Sequence, residues 1–270
     1  MAWFYVGEKR FLLKKRTYIM GILNVTPDSF SDGGEYSALD KAIERARKIE
    51  EEGADILDIG GQSTRPGYKI ISQEEEWARV KPVLFSIKKL AIPISIDTFY
   101  PYVAERALDM GAVVINDVSG FGDKNMVKLA AKTGASCVVM SNSSLNEVFE
   151  NLEDKKHELL QNGVEIEKIC FDPGVGFGKT HSENLQILES SVDFVPRGAA
   201  VLIGASRKRV TAKACDNLPP KERSAATIAA HTLAIAGGAD IIRVHDVKEG
   251  VQAAKMADEI LKNRNVTGTV

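Results

Sequence analysis

Residues 53–60 read Gly-Ala-Asp-Ile-Leu-Asp-Ile-Gly, and residues 238–245 read Gly-Ala-Asp-Ile-Ile-Arg-Val-His. In each stretch a glycine follows an amphipathic segment and precedes a short run rich in isoleucine. A glycine after a helix takes the left-handed conformation that ends it, and a short apolar run bounded by turn residues is typical of a buried strand. The two stretches therefore predict a change from helix to buried strand.

The same change recurs along the chain, with shorter versions at residues 111–113 and 134–135. Amphipathic segments separate the apolar runs; residues 39–52, for example, carry apolar side chains at helical spacing. This alternation predicts repeated β/α units around a parallel sheet. The eight candidate strands are Tyr18 to Leu23, Asp55 to Gly60, Ile94 to Asp97, Val113 to Asp117, Cys137 to Met140, Ile169 to Asp172, Ala200 to Gly204 and Ile241 to His245.

The number of units and the chain length bear on the choice between two parallel folds. An open doubly wound sheet shows the same alternation, so periodicity alone does not exclude it. Eight units in 270 residues favour a single (β/α)8 TIM barrel, which typically has about 250 residues. No Pro-, Gly- or Ser-rich linker divides the chain, so we predict one α/β domain over residues 1–270.

The first 16 residues are apolar in places, but charges interrupt every run well short of a signal peptide or a membrane span. We expect them to form a short capping hairpin or strand at one end of the barrel. The net charge of -2 gives no electrostatic footprint for nucleic acid. Three widely spaced cysteines without a CxxC pair argue against a disulfide framework. A cytoplasmic protein that binds neither membrane nor nucleic acid is therefore expected.

Nearly every candidate strand ends in a polar residue. The carboxyl ends of all strands in such a barrel meet on one face, where active sites are built. We therefore expect the chemistry on that face. The residues concerned are Asn24, Gln62 with Thr64, Asp97, Asn116 with Asp117, Asp172, Ser206 with Lys208, and Arg243 with His245.

Two long segments lie among these strand ends: Asn-Val-Thr-Pro-Asp-Ser-Phe-Ser-Asp-Gly-Gly at residues 24–34 and Asp-Ile-Gly-Gly-Gln-Ser-Thr-Arg-Pro-Gly at residues 58–67. Shorter segments follow: Ser95-Ile96-Asp97-Thr98, Ile115-Asn116-Asp117-Val118, Asp172-Pro173-Gly174-Val175-Gly176-Phe177-Gly178-Lys179, Ser206-Arg207-Lys208 and Arg243-Val244-His245-Asp246. In this order they resemble the dihydropteroate synthase family over roughly Tyr18 to Leu261. The resemblance implies an enzyme of folate biosynthesis that joins 6-hydroxymethyl-7,8-dihydropterin diphosphate to p-aminobenzoate, giving 7,8-dihydropteroate and pyrophosphate.

A buried pterin needs carboxylate and amide partners for the donors and acceptors of its aminopyrimidinone edge. The resemblance gives that role to Asp97, Asn116 and Asp172, with Lys208 donating to a ring acceptor. A polar residue at a strand end can instead cap the helix that follows. The agreement of several strand ends favours the pterin site.

The leaving pyrophosphate develops negative charge, which cationic side chains can neutralise. Arg243 and His245 alternate along one strand, so their side chains are expected on the same side. A lone histidine there would more simply bond Asp246 or a backbone carbonyl, but its pairing with Arg243 in this motif favours the anion site. The predicted catalytic group is Asp97, Lys208, Arg243 and His245.

The resemblance completes the site with the diphosphate, a metal and the second substrate. Thr64 is implied to contact the diphosphate, and Asn24 to bind a Mg2+ ion that the diphosphate carries. Two loops rich in Gly, Pro, Asp and Ser, Thr26 to Gly34 and Gln62 to Lys69, are expected to close over bound substrate. The residues implied for the p-aminobenzoate pocket are Asp32, Arg65, Pro66 and Ser206.

Some of these assignments keep a simpler alternative. Arg65 can equally be a surface charge, and Pro66 a turn former. No general base is evident, and an arylamine that attacks a cationic carbon hardly needs one.

Two positions depart from the family pattern. The chain reads Met140-Ser141-Asn142 where the family usually has a Met-His pair and a longer connection, and Gln62 stands where glutamate is more often found. Neither change removes a predicted pterin partner. Because fold and activity are separable, a non-catalytic pterin-binding paralogue and, less favoured by the motifs, a folate-dependent corrinoid methyltransferase stay open.

Two late segments, Ala225 to Ala236 and Val251 to Leu261, are rich in small apolar residues. The resemblance implies a homodimer through these outer helices, away from the active face. Ordinary packing of helices on the barrel would explain the same composition.

Overall fold

The computed structural model describes residues 2–26, 34–62 and 69–267 of the chain. Within this part, strands and helices alternate in the predicted order. The predicted site residues outside the described residues are Asp32, Thr64, Arg65 and Pro66.

An antiparallel hairpin precedes the parallel strands. It consists of β1 (Trp3–Val6) and β2 (Lys9–Leu12), and its two-residue turn begins at Gly7, whose φ of +60° suits a residue without a side chain. The parallel strands are β3 (Tyr18–Asn24), β4 (Ile56–Gly60), β5 (Ile94–Asp97), β6 (Ala112–Asp117), β7 (Ser136–Met140), β8 (Ile169–Asp172), β9 (Ala200–Ile203) and β10 (Ile241–Val244).

The parallel strands close into a barrel. Each of β3 to β9 pairs with the next strand, and β10 pairs with both β9 and β3. An open sheet would leave two edges unpaired, so the doubly wound alternative is excluded and the predicted TIM barrel is confirmed. The predicted strand bounds differ from the observed ones by no more than one residue.

Helices cover the outside of the barrel, and glycines end several of them. Gly134 has φ +68°, and its N–H donates to Ala130 O at 2.9 Å, which satisfies one of the last helical carbonyls. No helix in the described part combines the length and the apolar composition needed to cross a membrane. The helices are α1 (Gly34–Glu51), α2 (Gln73–Ser86), α3 (Pro101–Asp109), α4 (Lys124–Thr133), α5 (Leu145–Gln161), α6 (His181–Glu189), α7 (Arg209–Lys213), α8 (Ser224–Ala236) and α9 (Val247–Thr267).

Strand side chains alternate between the two sides of the barrel wall. Outward residues such as Ile96 and Ile115 are fully buried beneath the helices. Inward residues of the amino-terminal half, such as Met20, pack with Phe4 and Phe11 of the hairpin. The hairpin therefore caps the amino-terminal end of the barrel, as predicted.

The carboxyl-terminal half of the interior is polar. Asp58 follows Ile56 by two residues, and Asn116 follows Val114 in the same way, so apolar and polar groups of one strand share a side of the wall. Both polar residues are buried. The strand alternation thus gathers polar side chains near one mouth of the barrel.

Candidate functional site

Arg243 joins two carboxylates from different strands at this mouth. Its Nε donates to Asp58 Oδ2 at 2.7 Å, and its Nη2 donates to Asp97 Oδ2 at 2.6 Å. The side chain of Arg243 is 18% exposed, while those of Asp58 and Asp97 are 0% and 7% exposed. Charge-assisted hydrogen bonds in a planar fork are strong and directional. The guanidinium therefore fixes the two carboxylates relative to each other.

Charge is unevenly balanced in this cluster, because two carboxylates share one guanidinium. Burial raises the pKa of Asp97 to about 7; Arg243 opposes the rise, and Asp58 adds to it. Burial lowers the pKa of Arg243, but its two acidic neighbours outweigh burial and the net shift is upward. The arginine stays charged, while the raised pKa of Asp97 favours a proton on that carboxyl or a hydrogen-bond donor from a ligand.

Asn116 extends the cluster onto β6. Its Nδ2 donates to Asp58 Oδ2 at 3.0 Å, and the register of β5 and β6 sets Asn116 beside Asp97. Two carboxylates and one carboxamide thus lie around a single arginine. This combination offers both donors and acceptors to a heterocycle.

A second polar group lies at the ends of β8 and β9. Asp172 Oδ1 accepts from Gly174 N at 2.7 Å, and Lys208 Nζ donates to Val175 O at 2.7 Å while lying 4.5 Å from the centre of the Phe177 ring. Burial lowers the pKa of Lys208 to about 8, against the pull of Asp172. Burial also raises the pKa of Asp172, and Lys208 opposes that rise. Asp172 is buried and Lys208 is partly buried, and the charge of each stabilises the charge of the other.

Gly176 makes room for the stem of Lys208. Its φ is +85°, and a Cβ built on it would lie 3.0 Å from Lys208 Cδ. A side chain at this position would be strained by the backbone and would also press on the lysine. The glycine therefore supports the position of Lys208.

Ser206 and His245 connect the ends of β9 and β10. Ser206 Oγ lies 3.0 Å from His245 Nδ1 and accepts from His245 N at 3.2 Å. Arg45 Nη2 donates to His245 O at 2.6 Å, and Arg207 forms an ion pair with Asp246. These contacts hold the imidazole on the same mouth as the arginine cluster.

Two further residues of the predicted site, Asn24 and Gln62, lie at the end of β3 and just after β4. Asn24 ends β3, in register with Gly60, and is partly exposed. Gln62 follows β4 and is buried; its Nε2 donates to Lys69 O at 3.2 Å, and its Oε1 accepts from Ile71 N at 2.9 Å. A glutamate would lack the donor for the carbonyl, so the amide suits this contact.

The atypical segment after β7 still supports Asp172. Ser141 N donates to Asp172 O at 3.0 Å, and Ser141 O accepts from Lys179 Nζ at 3.1 Å. The segment borders a cavity of about 320 Å3 between α5 and the loop after β6. The backbone of Asp172 is therefore held without the histidine that the family pattern carries.

Sequence reasoning gave no role to Asp58, Phe177 or Glu76. Asp58 lies two residues after Ile56 on the same strand, so both side chains point into the barrel. This inward position is a signal that could have identified Asp58 as a site residue. Glu76 lies four residues before the buried Val80 on α2, so helical periodicity marked its side as buried. Phe177 offered no signal beyond its motif.

With this geometry established, comparisons with known proteins identify the class. The family model described as pterin binding enzyme matches residues 20–245, which run from β3 to the residue after β10. The match covers most of the chain. The chain therefore belongs to the pterin binding enzymes.

Individual relatives narrow the class further. A dihydropteroate synthase of Clostridium beijerinckii is 45% identical over 267 residues, which cover 95% of this chain and 99% of the relative. The crystal structure of the Clostridium difficile dihydropteroate synthase in the presence of pteroic acid is 44% identical, with a TM-score of 0.88 over 93% of this chain and 98% of that one. The Xanthomonas albilineans dihydropteroate synthase in complex with 7,8-dihydropteroate is 34% identical, with a TM-score of 0.87 over 96% of this chain and 98% of that one. Within the pterin binding enzymes, the chain belongs to the dihydropteroate synthase family.

Proposed function

We infer that the chain catalyses the dihydropteroate synthase reaction. The C–O bond between the pterin methylene and the diphosphate breaks, and the amine of p-aminobenzoate bonds to that carbon and loses a proton. The observation that carries this proposal is the cluster of Asp97, Asn116 and Arg243 at the mouth of the barrel. Relatives with the same fold are described with pteroic acid and 7,8-dihydropteroate.

The pterin ring is proposed to lie between the two polar groups of the mouth. Asp97 and Asn116 would meet one part of its hydrogen-bonding edge, and Asp172 another, with Lys208 donating to a ring acceptor. Support comes from the burial of Asp97, Asn116 and Asp172, because a buried carboxylate or amide binds a matching edge and penalises a ligand that leaves it unpaired. Phe177, under Lys208, adds an apolar surface.

The diphosphate is proposed to meet Arg243 and His245, with Thr64 added by the family resemblance. A guanidinium has several N–H donors, so Arg243 can hold its carboxylates and still donate to an anion. His245 is held by Ser206 on the same mouth. Fixed donors aimed at the leaving oxygens stabilise the charge that develops there.

Magnesium is proposed as the ion that accompanies the diphosphate. Mg2+ prefers oxygen ligands and is commonly held by few protein groups together with substrate phosphates and water. The side-chain oxygen of Asn24, at the end of β3, fits that role. Over the described residues, no three His, Cys, Asp or Glu side chains group as metal ligands, which agrees with an ion held mainly by substrate. When bound, the ion would neutralise the leaving oxygens.

The second substrate needs orientation more than proton transfer. An arylamine attacks a cationic carbon without prior deprotonation, so we assign no general base. Ser206 is proposed to border the p-aminobenzoate pocket; its bond to His245 would set the amine close to the diphosphate end. By resemblance, the other pocket residues are Asp32, Arg65 and Pro66.

We also propose a homodimer through α8 and α9, which pack side by side. Leu233 on α8 is 61% exposed, and Met256 on α9 is 62% exposed. Large exposed apolar side chains on adjacent helices are typical of an interaction surface. Sedimentation equilibrium at micromolar concentration tests this proposal, and a monomer would refute it.

The free thiols Cys137, Cys170 and Cys215 support a reducing, cytoplasmic location.

The reaction is tested by pyrophosphate release from the dihydropterin diphosphate with Mg2+ and p-aminobenzoate. A reaction without the amine and the variant Asp97→Asn serve as controls. We expect amine-dependent release coupled to dihydropteroate, lost in the variant. Pterin binding without dihydropteroate formation would instead establish the non-catalytic paralogue.

A further inference from the structure

Glu76 is a buried carboxyl group that the proposed reaction does not use. It lies on α2 with 0% exposure, although the adjacent Glu74 and Glu75 are exposed. Its Oε2 accepts from Thr98 Oγ1 at 2.9 Å, and its Oε1 has no hydrogen-bond partner in the described part of the chain. Burying a carboxyl with one oxygen unpaired is unfavourable. Its presence therefore needs a compensating role.

Thr98 links Glu76 to the proposed pterin site. It directly follows Asp97 and is 1% exposed. Its N–H donates to Asn116 O at 3.0 Å, and its Oγ1 accepts from Tyr100 N at 3.1 Å. Thr98 thus has a peptide bond to Asp97, a backbone hydrogen bond to Asn116 and a side-chain hydrogen bond to Glu76.

The end of β4 packs against Glu76 on another side. A Cβ at Gly61 would lie 3.0 Å from Glu76 Cγ and 2.9 Å from Val80 Cγ1. Arg79, on the same helix, donates from Nη1 to Gly61 O at 2.9 Å. Glu76 therefore sits between the ends of β4 and β5, with little space to move.

The contact with Thr98 does not depend on the charge of Glu76. Burial raises the pKa of Glu76 to about 7; the Thr98 hydroxyl opposes the rise, Asp97 adds to it, and Arg79 opposes it. A protonated carboxyl keeps a carbonyl oxygen that accepts the hydroxyl proton of Thr98. Near neutral pH the hydrogen bond therefore persists in both protonation states, and its main contribution is geometric.

We propose that Glu76 is a positioning residue for pterin recognition, which acts through Thr98 to fix the turn that sets Asp97 beside Asn116. The inference rests on the proposed pterin site. Glu76 itself touches no substrate in this scheme. Its carboxyl anchors the hydroxyl of Thr98, and the backbone hydrogen bond from Thr98 N to Asn116 O then fixes the end of β5 against the end of β6.

The test compares five variants of the full chain. Thr98→Val keeps the side-chain shape and removes the hydroxyl, whereas Thr98→Ser restores it. Glu76→Met keeps the side-chain length and removes the acceptor, whereas Glu76→Gln keeps an acceptor and is neutral at every pH. Ser191→Ala is the matched control, because Ser191 is also fully buried but donates to Ile187 O at 2.9 Å in the outer layer.

Three quantities are measured: the Kd of the dihydropterin diphosphate, the KM of p-aminobenzoate at saturating pterin, and hydrogen exchange of the Thr98 amide. We expect Thr98→Val and Glu76→Met each to weaken pterin binding by about tenfold and to leave the p-aminobenzoate KM within about twofold. For Thr98→Ser and Glu76→Gln, the pterin Kd and the p-aminobenzoate KM should both stay within about threefold of the wild-type values. The amide of residue 98 should exchange faster in Thr98→Val and Glu76→Met only.

The proposal is overturned if Thr98→Val or Glu76→Met raises both constants equally, or if Glu76→Met weakens pterin binding no more than Ser191→Ala does. Unchanged exchange of the Thr98 amide in Thr98→Val would also overturn it. A wild-type protein that binds no pterin would refute the proposed function instead. In that case, the amide exchange still decides whether the hydroxyl of Thr98 fixes the turn.

Discussion

Arg243 reaches Asp97 across the mouth of the barrel, with Nη2 2.6 Å from Oδ2. The two residues lie 146 positions apart, on β10 and β5, and the Nε of the same guanidinium holds Asp58 on β4. A planar cation with divergent N–H groups can satisfy both carboxylates at once, which a single ammonium group cannot do with the same geometry. The site thus depends on arginine rather than on positive charge alone.

Arg243→Lys is therefore expected to lower kcat/KM by about 100-fold or more, because one of the two carboxylates loses its partner. Steady-state kinetics with both substrates measure this. Arg16→Lys is the matched control, since Arg16 also binds one carboxylate, Asp55, through two nitrogens but is 49% exposed and far from the mouth. Similar losses in the two variants would contradict the assigned role.

Gly176→Ala is expected to weaken pterin binding by about tenfold, because its Cβ would press on the stem of Lys208. Gly111→Ala is the control: its φ of +104° imposes similar backbone strain, but a Cβ there has nothing within 4 Å. Both should lose about 1–2 kcal/mol of stability from the strain. Calorimetric titration and thermal unfolding separate the effects, and equal pterin affinity in both variants would contradict the prediction.

Phe4→Ala tests the hairpin that closes the far end of the barrel. Phe4 is fully buried, so its truncation should lower the free energy of unfolding by about 3–5 kcal/mol. The KM values of the folded variant should stay unchanged, because the hairpin lies at the opposite end from the site. Denaturant unfolding measures the free energy of unfolding, and steady-state kinetics measure the KM values. Phe85→Ala is the control, because the side chain of Phe85 is 69% exposed. A selective loss of substrate binding would show that the cap and the site are coupled.

Glu76 should make stability depend on pH. Its pKa rises from the ordinary value of 4.5 to about 7 in the folded protein, so the folded chain binds its proton more tightly than the unfolded chain. The resulting stabilisation is full below pH 4.5 and is lost as the pH rises through about 7. Relative to the wild type, Glu76→Gln should therefore gain up to about 3 kcal/mol between pH 4.5 and pH 8. Urea unfolding of both proteins across this range measures it, and parallel curves would contradict it.

Local patterns sufficed for the fold, but not for every contact of the site. The strand that contains Asp58 was evident from its apolar run, yet its pairing with Arg243 joins residues 185 positions apart, and no local pattern encodes which groups meet. Likewise, helical periodicity sets Glu76, rather than Glu74 or Glu75, on the buried side of α2, but no local pattern encodes its contact with Thr98. The strand ends predicted the place of the site, whereas its charge pairing is a property of the closed barrel.

The position of Arg243 in the chain also sets when the pterin cluster assembles during synthesis. Asp58 and Asp97 leave the ribosome well before β10, so the nascent chain holds these two carboxylates without their cation. Until residues 241–244 emerge, the wall between β9 and β3 is also open. The last strand of the barrel supplies the missing wall and the missing counter-charge together. A chain interrupted before this strand would therefore lack not only stability but the binding site itself.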